Sequence, residues 1–450
     1  MTGEPSEVLY LQTLNESNPL NSMSATMNNS FDLWKKILFS RNMGYLMTCL
    51  CHNDKLKFDA FHTVGLLHTH IYSILDVREF NNGGMPVRLL RLRNPWGHKE
   101  FKGDWSNGWP YWPENLKNQV NVNIKNDGCF WISFDDVLKY FYDITISKIR
   151  TDWTESRHSS FFYDYSSQAE VYMITVAQPG LSEFEIELFA TGRKNQMFDR
   201  NADPDIDLCL IICRINDPTA GGVNGLTCVA FEHSVEYYIN LSASLTPGTY
   251  IVFATSIKGI SACLKDLPRD DLNNNNNNNN NINNININNN SSNNNEPNYY
   301  SYNIVFHCQS SFTLNRTLLP ADIVSDLFYS VGLTSNRVKY ELNGNVRTIV
   351  ISRSCVHAVI VENLSTNYCI KVSLNISNSK NIESTRVGSN TDDYLNPRQK
   401  QLITFLTPLN YRKSFVIGYK LDTQINSYFA SGSMPEIPLS YSGLHAIKSF

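Results

Sequence analysis

Two apolar runs joined by a short polar stretch form the clearest pattern in the first third of the chain. The run H-I-Y-S-I-L-D-V covers residues 70–77, and L-L-R-L-R-N-P-W-G covers residues 89–97. The Asn and Gly residues at 81–84 have the composition of a hairpin turn. We therefore predict two antiparallel strands joined by this turn. The side chains expected to fill their core are Val77, Leu89, Leu90 and Leu92.

His70 opens the first predicted strand and Asn94 closes the second. Antiparallel pairing would bring these two distant residues together. An amide oxygen that accepts the ring N–H fixes the tautomer of an imidazole and leaves the other ring nitrogen as a base for a thiol. The alternative is that His70 is a structural histidine, which is the commoner role for a histidine on an apolar strand.

The rest of the first 155 residues mixes helix and strand patterns. We expect loop over residues 1–30, because they are polar and show little periodicity. Apolar residues at helical spacing predict an amphipathic helix over Phe31–Leu46, and the apolar run Tyr45–Cys51 predicts a strand. Acidic residues at the start of Phe134–Tyr142 favour a helix there, and a closing strand is expected over Ile144–Ile149.

Period-two alternation dominates from about Ser156, where short apolar strands are separated by Pro-Gly and Gly-Gly turns. Several such strands in succession are typical of a β-sandwich. The predicted strands cover residues 170–176, 183–189, 207–215, 236–241, 248–256 and 302–308. Residues 272–298, between the last two strands, are almost all Asn, and this composition cannot bury a core. We predict a disordered hairpin insertion, with a prion-like assembly tract as the alternative.

The last segment, from about Thr317, begins with a helix-like run over residues 321–332. Strand patterns then return, and residues 440–450 have the composition of a loop. The predicted strands cover residues 347–353, 358–365, 369–375 and 401–406. This segment therefore adds a further β-rich region after the sandwich.

Composition limits the possible function classes. The 450 residues suffice for two to four domains, and a formal net charge of −4 predicts no nucleic-acid partner and no polybasic membrane patch. No run of eighteen apolar residues predicts a membrane span, and the N-terminal residues lack the pattern of a signal peptide. The ten cysteines lack the regular spacing of a disulfide framework, which predicts reduced thiols and a cytoplasmic location. No C-x-x-C pair occurs, so we predict no structural zinc.

Several short motifs follow one another in an order that resembles the calpain family of cysteine proteases. H-x-Y-S at residues 70–73, followed by R-N-P-W-G at 93–97, is similar to the His and Asn motifs of that family. The similarity continues in G-D-W-S at 103–106, W-P-Y-W-P at 109–113 and D-G-C-F-W-I-S-F at 127–134.

The resemblance implies roles for three residues of the hairpin. His70 would be the general base, Asn94 would orient it, and Trp96 would be the indole that shields the pair from water. These motifs belong to the second, β-rich lobe of the protease core, and the family's active site lies in the cleft between two lobes. The resemblance also implies a protein or peptide substrate.

The nucleophilic cysteine that the resemblance requires has no clear counterpart in the sequence. A papain-type nucleophile sits at a helix start, roughly 130–150 residues before the His, whereas 69 residues precede His70. Cys49 and Cys51 lie in a strand-like apolar run, and no Q-x-x-x-x-x-C-W stretch occurs. We expect both to be core residues and the Cys lobe to be absent, so that another chain or segment would supply it.

Calpain second lobes carry a Ca²⁺ site built from two loops, and the resemblance assigns Glu100 and Asp127 to it. Asn107 stands where an Asp is usual, and Cys129 stands where a Glu is usual. Because Ca²⁺ prefers six to eight oxygen ligands, we expect a weak, eroded site and no tight binding. The alternative is that these acids are solvated loop residues.

The later segments also resemble calpains. P-G-T-Y at 247–250 is similar to the sandwich that follows the protease core, and V-E-N-L-S at 361–365 is similar to the small-optic-lobes branch. The expected fold is mainly β with a few helices: half of a papain-like protease core, a calpain-type β-sandwich and a β-rich terminal domain resembling that of the branch. The expected domain boundaries are 1–155, 156–316 and 317–450.

Together these features predict a calpain-like intracellular cysteine endopeptidase, of which this chain carries only the His and the Asn. One alternative is a catalytically inactive relative that acts as a protein-binding or regulatory module. Another is an incomplete gene model. In each case this chain alone is expected not to hydrolyse peptide bonds, because a base without its thiol cannot perform acyl transfer.

Overall fold

The structure is a computed structural model, and the residues it describes are 5–11, 30–51, 58–82, 84–122, 125, 127–162, 168–190, 206–216, 225–235, 238–260, 301–334, 337–353, 356–386, 388–411, 413–426 and 443–449. The Asn-rich insertion predicted at 272–298 lies outside them. The chain divides into two compact units, Met1–Thr151 (the first unit) and Asp152–Phe450 (the second unit). The fold is mainly β, as the sequence predicted. None of the described helices is long and apolar enough to cross a membrane.

One antiparallel sheet of six strands organises the first unit. Its strands are β1 (Ser6–Tyr10), β2 (Leu46–Cys51), β3 (Ile71–Asn82), β4 (Met85–Arg93), β5 (Cys129–Ser133) and β6 (Phe141–Ser147). They pair in the order β1-β6-β2-β3-β4-β5. The helices of this unit are α1 (Ser30–Asn42), α2 (Phe58–Thr63), α3 (Glu114–Gln119) and α4 (Phe134–Tyr140). The predicted hairpin is confirmed, since β3 pairs with β4 and Val77 lies opposite Leu90.

Alternation along β4 and β5 puts apolar side chains on both faces of this sheet. On one face, Leu90 and Leu92 of β4 and Phe130 and Ile132 of β5 share an apolar cluster with Trp34 and Ile37 of α1. On the other face, Leu89 and Trp131 share a cluster with Leu116 of α3 and with Trp112, which lies just before α3. The four predicted core residues of the hairpin are all buried. The hairpin is therefore packed between two apolar layers.

Three boundaries in the first unit differ from the sequence predictions. The loop predicted for residues 1–30 contains β1, which pairs with β6 along its whole length; five residues are too few to show a period. The predicted helix Phe31–Leu46 ends at Asn42, because Gly44 takes a positive φ of 78° that only glycine adopts readily. The predicted helix Phe134–Tyr142 ends at Tyr140, and β6 begins at the next residue.

The second unit begins with two sheets that face each other as a sandwich. Its strands are β7 (Thr154–Phe161), β8 (Gln168–Val176), β9 (Ser182–Ala190), β10 (Leu208–Ile215), β11 (Leu226–Ser234), β12 (Tyr238–Leu245), β13 (Gly248–Thr255), β14 (Ser301–Cys308) and β15 (Thr313–Pro320). One sheet has the order β11-β10-β13-β8-β15 and the other β12-β9-β14-β7. Their inner faces share one apolar core, which includes Tyr172, Ile186, Leu210, Val252 and Phe306.

The described residues that follow β15 include one α-helix and two further sheets. The elements are α5 (Ile323–Leu333), β16 (Val338–Glu341), β17 (Val346–Arg353), β18 (Val356–Asn363), β19 (Cys369–Asn375), β20 (Ile382–Ser384), β21 (Asn390–Leu395), β22 (Gln399–Pro408), β23 (Lys420–Asn426) and β24 (Lys448–Ser449). One sheet has the order β16-β17-β18-β22-β20, with β24 also pairing with β22, and the other has the order β21-β19-β23.

Helix α5 joins the sandwich to the C-terminal sheets. One continuous apolar cluster contains side chains from the five-stranded sheet of the sandwich, from α5 and from the sheet that contains β17, β18 and β22. Phe328 of α5 lies at its centre, with its ring 4.6 Å from that of Phe405 and 6.4 Å from that of Phe231. The sandwich and the C-terminal sheets are therefore parts of one packed body.

Each strand predicted for the second unit overlaps a strand of the structure. Helix α5 overlaps the helical run predicted at 321–332 and ends one residue beyond it. The loop predicted at 440–450 is wrong in part. Gly443–His445 form a 3-10 turn, and Lys448–Ser449 pair with β22. Leu444 in that turn is 3% exposed, so packing against the rest of the unit, and not a local pattern, orders this segment.

Candidate active site

His70 and Asn94 meet at the ends of the hairpin, as predicted. His70 immediately precedes β3 and Asn94 immediately follows β4. The Nε2 atom of His70 lies 2.9 Å from the Oδ1 atom of Asn94. The backbone at this end is also fixed, because the carbonyl of His70 accepts the N–H of Cys51 at 2.9 Å. The sheet therefore positions an imidazole against an amide across a sequence separation of 24 residues.

The orientation of the Asn94 amide is set by its neighbours. Its Nδ2 atom donates to the carbonyl oxygens of His98 at 2.7 Å and Lys99 at 3.3 Å. Its Oδ1 atom also accepts the backbone N–H of Trp96 at 3.1 Å. The side chain is fully buried, so reversing the amide would place its oxygen against these two carbonyl oxygens, where no hydrogen bond can form. The oxygen must therefore be the atom that faces His70.

This orientation determines the tautomer of His70. An amide oxygen only accepts hydrogen bonds, so the proton on the ring must be on Nε2 when the imidazole is neutral. Nδ1 then carries the lone pair, which is the atom a general base uses. The ring also makes an edge contact with Tyr72, with ring centroids 5.1 Å apart.

Trp96 covers the pair from one side. Its ring centroid lies 4.6 Å from that of His70, while 56% of its surface remains exposed. An indole that faces the imidazole on one side and solvent on the other can exclude water from the hydrogen bond between His70 and Asn94. A hydrogen bond in a drier environment is electrostatically stronger.

A second loop supports Asn94 from beneath, and the sequence reasoning missed it. The carbonyl of Gly128 accepts the backbone N–H of Asn94 at 2.8 Å. Gly128 has a φ of 79°, and a Cβ atom at that position would lie 2.8 Å from the Asn94 carbonyl oxygen. The Asp127-Gly128 dipeptide was the signal that could have revealed this close approach.

Glu100 holds that loop in place. Its Oε1 atom accepts the backbone N–H groups of Asp127 and Gly128, each at 3.1 Å, and its Oε2 atom accepts from Asn107 at 3.3 Å. Burial raises the pKa of Glu100. The pKa of Asp127 is lowered because the backbone N–H of Cys129 donates to its carboxylate.

This arrangement does not fit a calcium ion at the residues predicted for one. The carboxylate of Glu100 faces three N–H donors, where a cation would need unoccupied oxygen lone pairs. The Nδ2 atom of Asn107 also donates to the carbonyl of Cys129 at 2.6 Å, which uses a further oxygen. Within the described ranges, no three His, Cys, Asp or Glu side chains form a group suited to a metal.

Cys49 and Cys51 are core residues, as predicted. They are 0% and 1% exposed and lie on β2 within the same apolar cluster as Ile74 and Phe130. Burial raises the pKa of Cys49 well above its usual range and that of Cys51 to about 12. A thiol that stays protonated and inaccessible cannot act as a nucleophile at neutral pH.

An imidazole that is steered by an amide and covered by an indole is the base-and-orienter arrangement used by thiol proteases. Residues 1–148 match the model of the family described as calpain family cysteine protease. Residues 334–429 match the model described as calpain-D-like, C-terminal domain. The chain therefore carries a calpain-family cysteine protease domain and a calpain-D-like C-terminal domain.

Individual relatives that match this chain are named calpains. The chain is 32% identical to Calpain-B of Drosophila melanogaster over 140 residues, which are 29% of this chain and 15% of the relative. It is 33% identical to the Calpain-1 catalytic subunit of Rattus norvegicus over 130 residues, 28% of this chain and 18% of the relative. It is 26% identical to Calpain clp-1 of Caenorhabditis elegans over 225 residues, 47% of this chain and 27% of the relative. The chain thus covers less than a third of the length of each.

Proposed function

We propose that the first unit is the His- and Asn-bearing part of a calpain-type cysteine endopeptidase that hydrolyses peptide bonds. The observation that carries this proposal is the 2.9 Å contact between His70 and an amide whose orientation is fixed by two carbonyls. The match of residues 1–148 to the protease family supports it independently.

In this proposal His70 is the general base and later the general acid. Its Nδ1 atom removes the proton from a cysteine thiol, and the thiolate attacks the peptide carbonyl. The same nitrogen then returns the proton to the leaving amine. Asn94 holds the ring in one tautomer throughout, and Trp96 keeps water away from their hydrogen bond.

The thiol is proposed to come from a Cys-bearing lobe on another segment or another chain. Cys49 and Cys51 support this, because both are buried within β2. We also propose domain boundaries at 1–155, 156–316 and 317–450. A relationship to the small-optic-lobes branch is a further proposal, and the calpain-D-like match at 334–429 supports it. A cytoplasmic location is supported by the eight described cysteines, which are all free thiols.

The second candidate function is a catalytically inactive module that binds proteins. The observation in its favour is the same burial of Cys49 and Cys51. The two functions differ in one property: only the protease should turn over peptide when a Cys-bearing lobe is supplied.

Reconstitution tests the choice between them. The full chain would be combined with the Cys-bearing lobe of a calpain relative, and cleavage of a casein-like peptide would be followed. We expect turnover, and His70→Ala should reduce it by about 10⁴-fold or more, because the base is lost. His98→Ala is the matched control, since His98 is an exposed neighbour that contacts the Trp96 carbonyl at 2.9 Å.

Two results would count against the protease proposal. One is undiminished turnover in the His70→Ala variant, which would remove the base assignment. The other is a stable complex of both lobes, shown by co-elution, that never cleaves peptide; that result would favour the inactive module.

A further inference from the structure

A pocket of about 430 Å³ opens in the second unit, where the sandwich meets α5 and the C-terminal sheet. Its wall is formed by the middle of β11 and of β12, the end of α5 and the end of β17. The residues that line it include Cys228, Phe231, Val331, Ile351 and Arg353. Since the rest of this junction is closely packed apolar core, the pocket is where small molecules can reach it.

Two cysteines lie side by side at this pocket. Cys213 on β10 is the antiparallel partner of Cys228 on β11, directly beside a β-bulge where the register shifts between Ile212 and Cys213. Directly opposed residues on antiparallel strands have Cα atoms about 4.5–5.5 Å apart, which falls within the range that a disulfide spans. Cys213 is fully buried, whereas Cys228 is partly exposed and lines the pocket. The two thiols thus differ in access while being close enough to bond.

The surroundings make the two sulfur atoms unequal. The pKa of Cys228 is lowered, chiefly because the thiol of Cys213 donates a hydrogen bond to it and also because of the charge of Arg353. The pKa of Cys213 is raised by the same hydrogen bond and by burial. Arg353 is itself placed over the ring of Phe231, 5.7 Å from its centroid. Of the two thiols, Cys228 is therefore the one that ionises more readily.

We propose that Cys213 and Cys228 form a peroxide-sensitive thiol pair, in which Cys228 meets the oxidant in the pocket and Cys213 resolves the product as a disulfide. This site is separate from His70 and Asn94 and does not depend on the proposed protease function.

The chemistry balances with hydrogen peroxide as the named oxidant. The Cys228 thiolate attacks one peroxide oxygen, so that an S–O bond forms, the O–O bond breaks and hydroxide leaves. The Cys213 sulfur then attacks the Cys228 sulfur, the S–S bond forms, and the S–O bond breaks to release water with the Cys213 proton. The hydroxide takes up the proton that the Cys228 thiol released on ionising. In total, the two thiols lose two electrons and one hydrogen peroxide becomes two water molecules.

The disulfide would form at a structurally sensitive position. Cys213 belongs to the apolar cluster that holds α5 against the sandwich, and β11 is the outermost strand of its sheet. A covalent bond between β10 and β11 would fix this edge strand beneath the end of α5. We expect oxidation to lower hydrogen exchange in β11 and to be reversed by dithiothreitol.

Mass spectrometry of the full chain tests the proposal. Reduced protein would be treated with a small excess of hydrogen peroxide, alkylated and digested. We expect a linked peptide pair containing Cys213 and Cys228, lighter by two hydrogens than the separate peptides. In Cys213→Ser the sulfenic acid should persist and be trapped by dimedone at Cys228, and in Cys228→Ser no adduct should form at Cys213.

Cys369 provides the matched control thiol. It is partly exposed like Cys228 but lies opposite Asn426 on β23, and its thiol donates to Asn396 at 2.9 Å. Cys228 should react with peroxide at least 10-fold faster than Cys369. Equal rates, or the absence of a linked peptide from protein whose thermal transition shows it to be folded, would overturn the proposal. The proposal would also be overturned if Cys213→Ser left the rate of Cys228 oxidation by peroxide unchanged and the wild type gave no linked peptide.

Discussion

At the scale of single residues, Asn94 uses each of its polar side-chain atoms. Its oxygen accepts from His70 and from the backbone of Trp96, while its nitrogen donates to two carbonyls. The sequence motifs predicted that His70 and Asn94 would meet. They could not predict the carbonyls that orient the amide, because these depend on the path of the loop after Asn94, which has no periodic pattern.

Gly128→Ala tests whether the supporting loop positions Asn94. A positive φ alone costs an alanine about 1–2 kcal/mol, and Gly128 also approaches the Asn94 carbonyl too closely for a Cβ atom. The matched control is Gly44→Ala, where φ is 78° and no atom lies within 4 Å of the added Cβ. We expect the Gly128 variant to be the less stable of the two in urea unfolding. Equal losses would show that Asn94 does not depend on this contact.

At the scale of elements, strands with a clear period were predictable and short or packing-dependent ones were not. β8, β9, β10 and β13 alternate or are continuously apolar, and they lie where the sequence predicted. β7 is mostly exposed and polar, so its sequence carries no core-facing signal. The 3-10 turn at Gly443–His445 is ordered only because its side chains are buried against β22.

The buried histidine of that turn, His445, should make the folded protein less stable in acid. Burial, with Arg386 nearby, lowers the pKa of His445 to about 3, whereas an unfolded histidine titrates near 6.5. As pH falls from about 6.5 towards 3, the unfolded chain binds a proton that the folded chain does not, so stability decreases. His445 faces the Leu402 carbonyl, to which its Nδ1 donates at 2.8 Å.

The measurement is the urea midpoint of the full chain at pH 7 and pH 5. We expect the wild type to lose about 2 kcal/mol from this group over that interval. The loss should be absent from His445→Gln, in which residue 445 carries no titratable group. If the two proteins lost the same stability on acidification, His445 would not be buried as a neutral ring.

At the scale of the whole molecule, the sequence pattern does not show how the parts of the second unit pack together. The sequence divided it at about residue 317, because strand patterns stop there and a helix begins. The helix in question, α5, shares one apolar cluster with sheets on both sides. A sequence pattern shows that a helix is apolar all round, but it does not show which two surfaces will cover it.

Phe328→Ala tests the continuity of that body. Removing a fully buried aromatic ring costs about 3–5 kcal/mol, and this ring lies near Phe231 of β11 and Phe405 of β22. We expect hydrogen-exchange protection to fall together in β10 and β18. Loss of protection confined to β18 would mean that the sandwich is stable without the C-terminal sheets.

The tautomer of His70 is the most direct test of the account as a whole. Long-range ¹H–¹⁵N NMR on the full chain with ¹⁵N-labelled histidine separates the two neutral forms, and His70→Ala identifies the resonances. We predict a proton on Nε2 and an unprotonated Nδ1 in the wild type, with this preference weakened in Asn94→Ala. A neutral ring protonated on Nδ1, or a wild-type pattern unchanged by Asn94→Ala, would contradict the proposal that Asn94 holds His70 as a base.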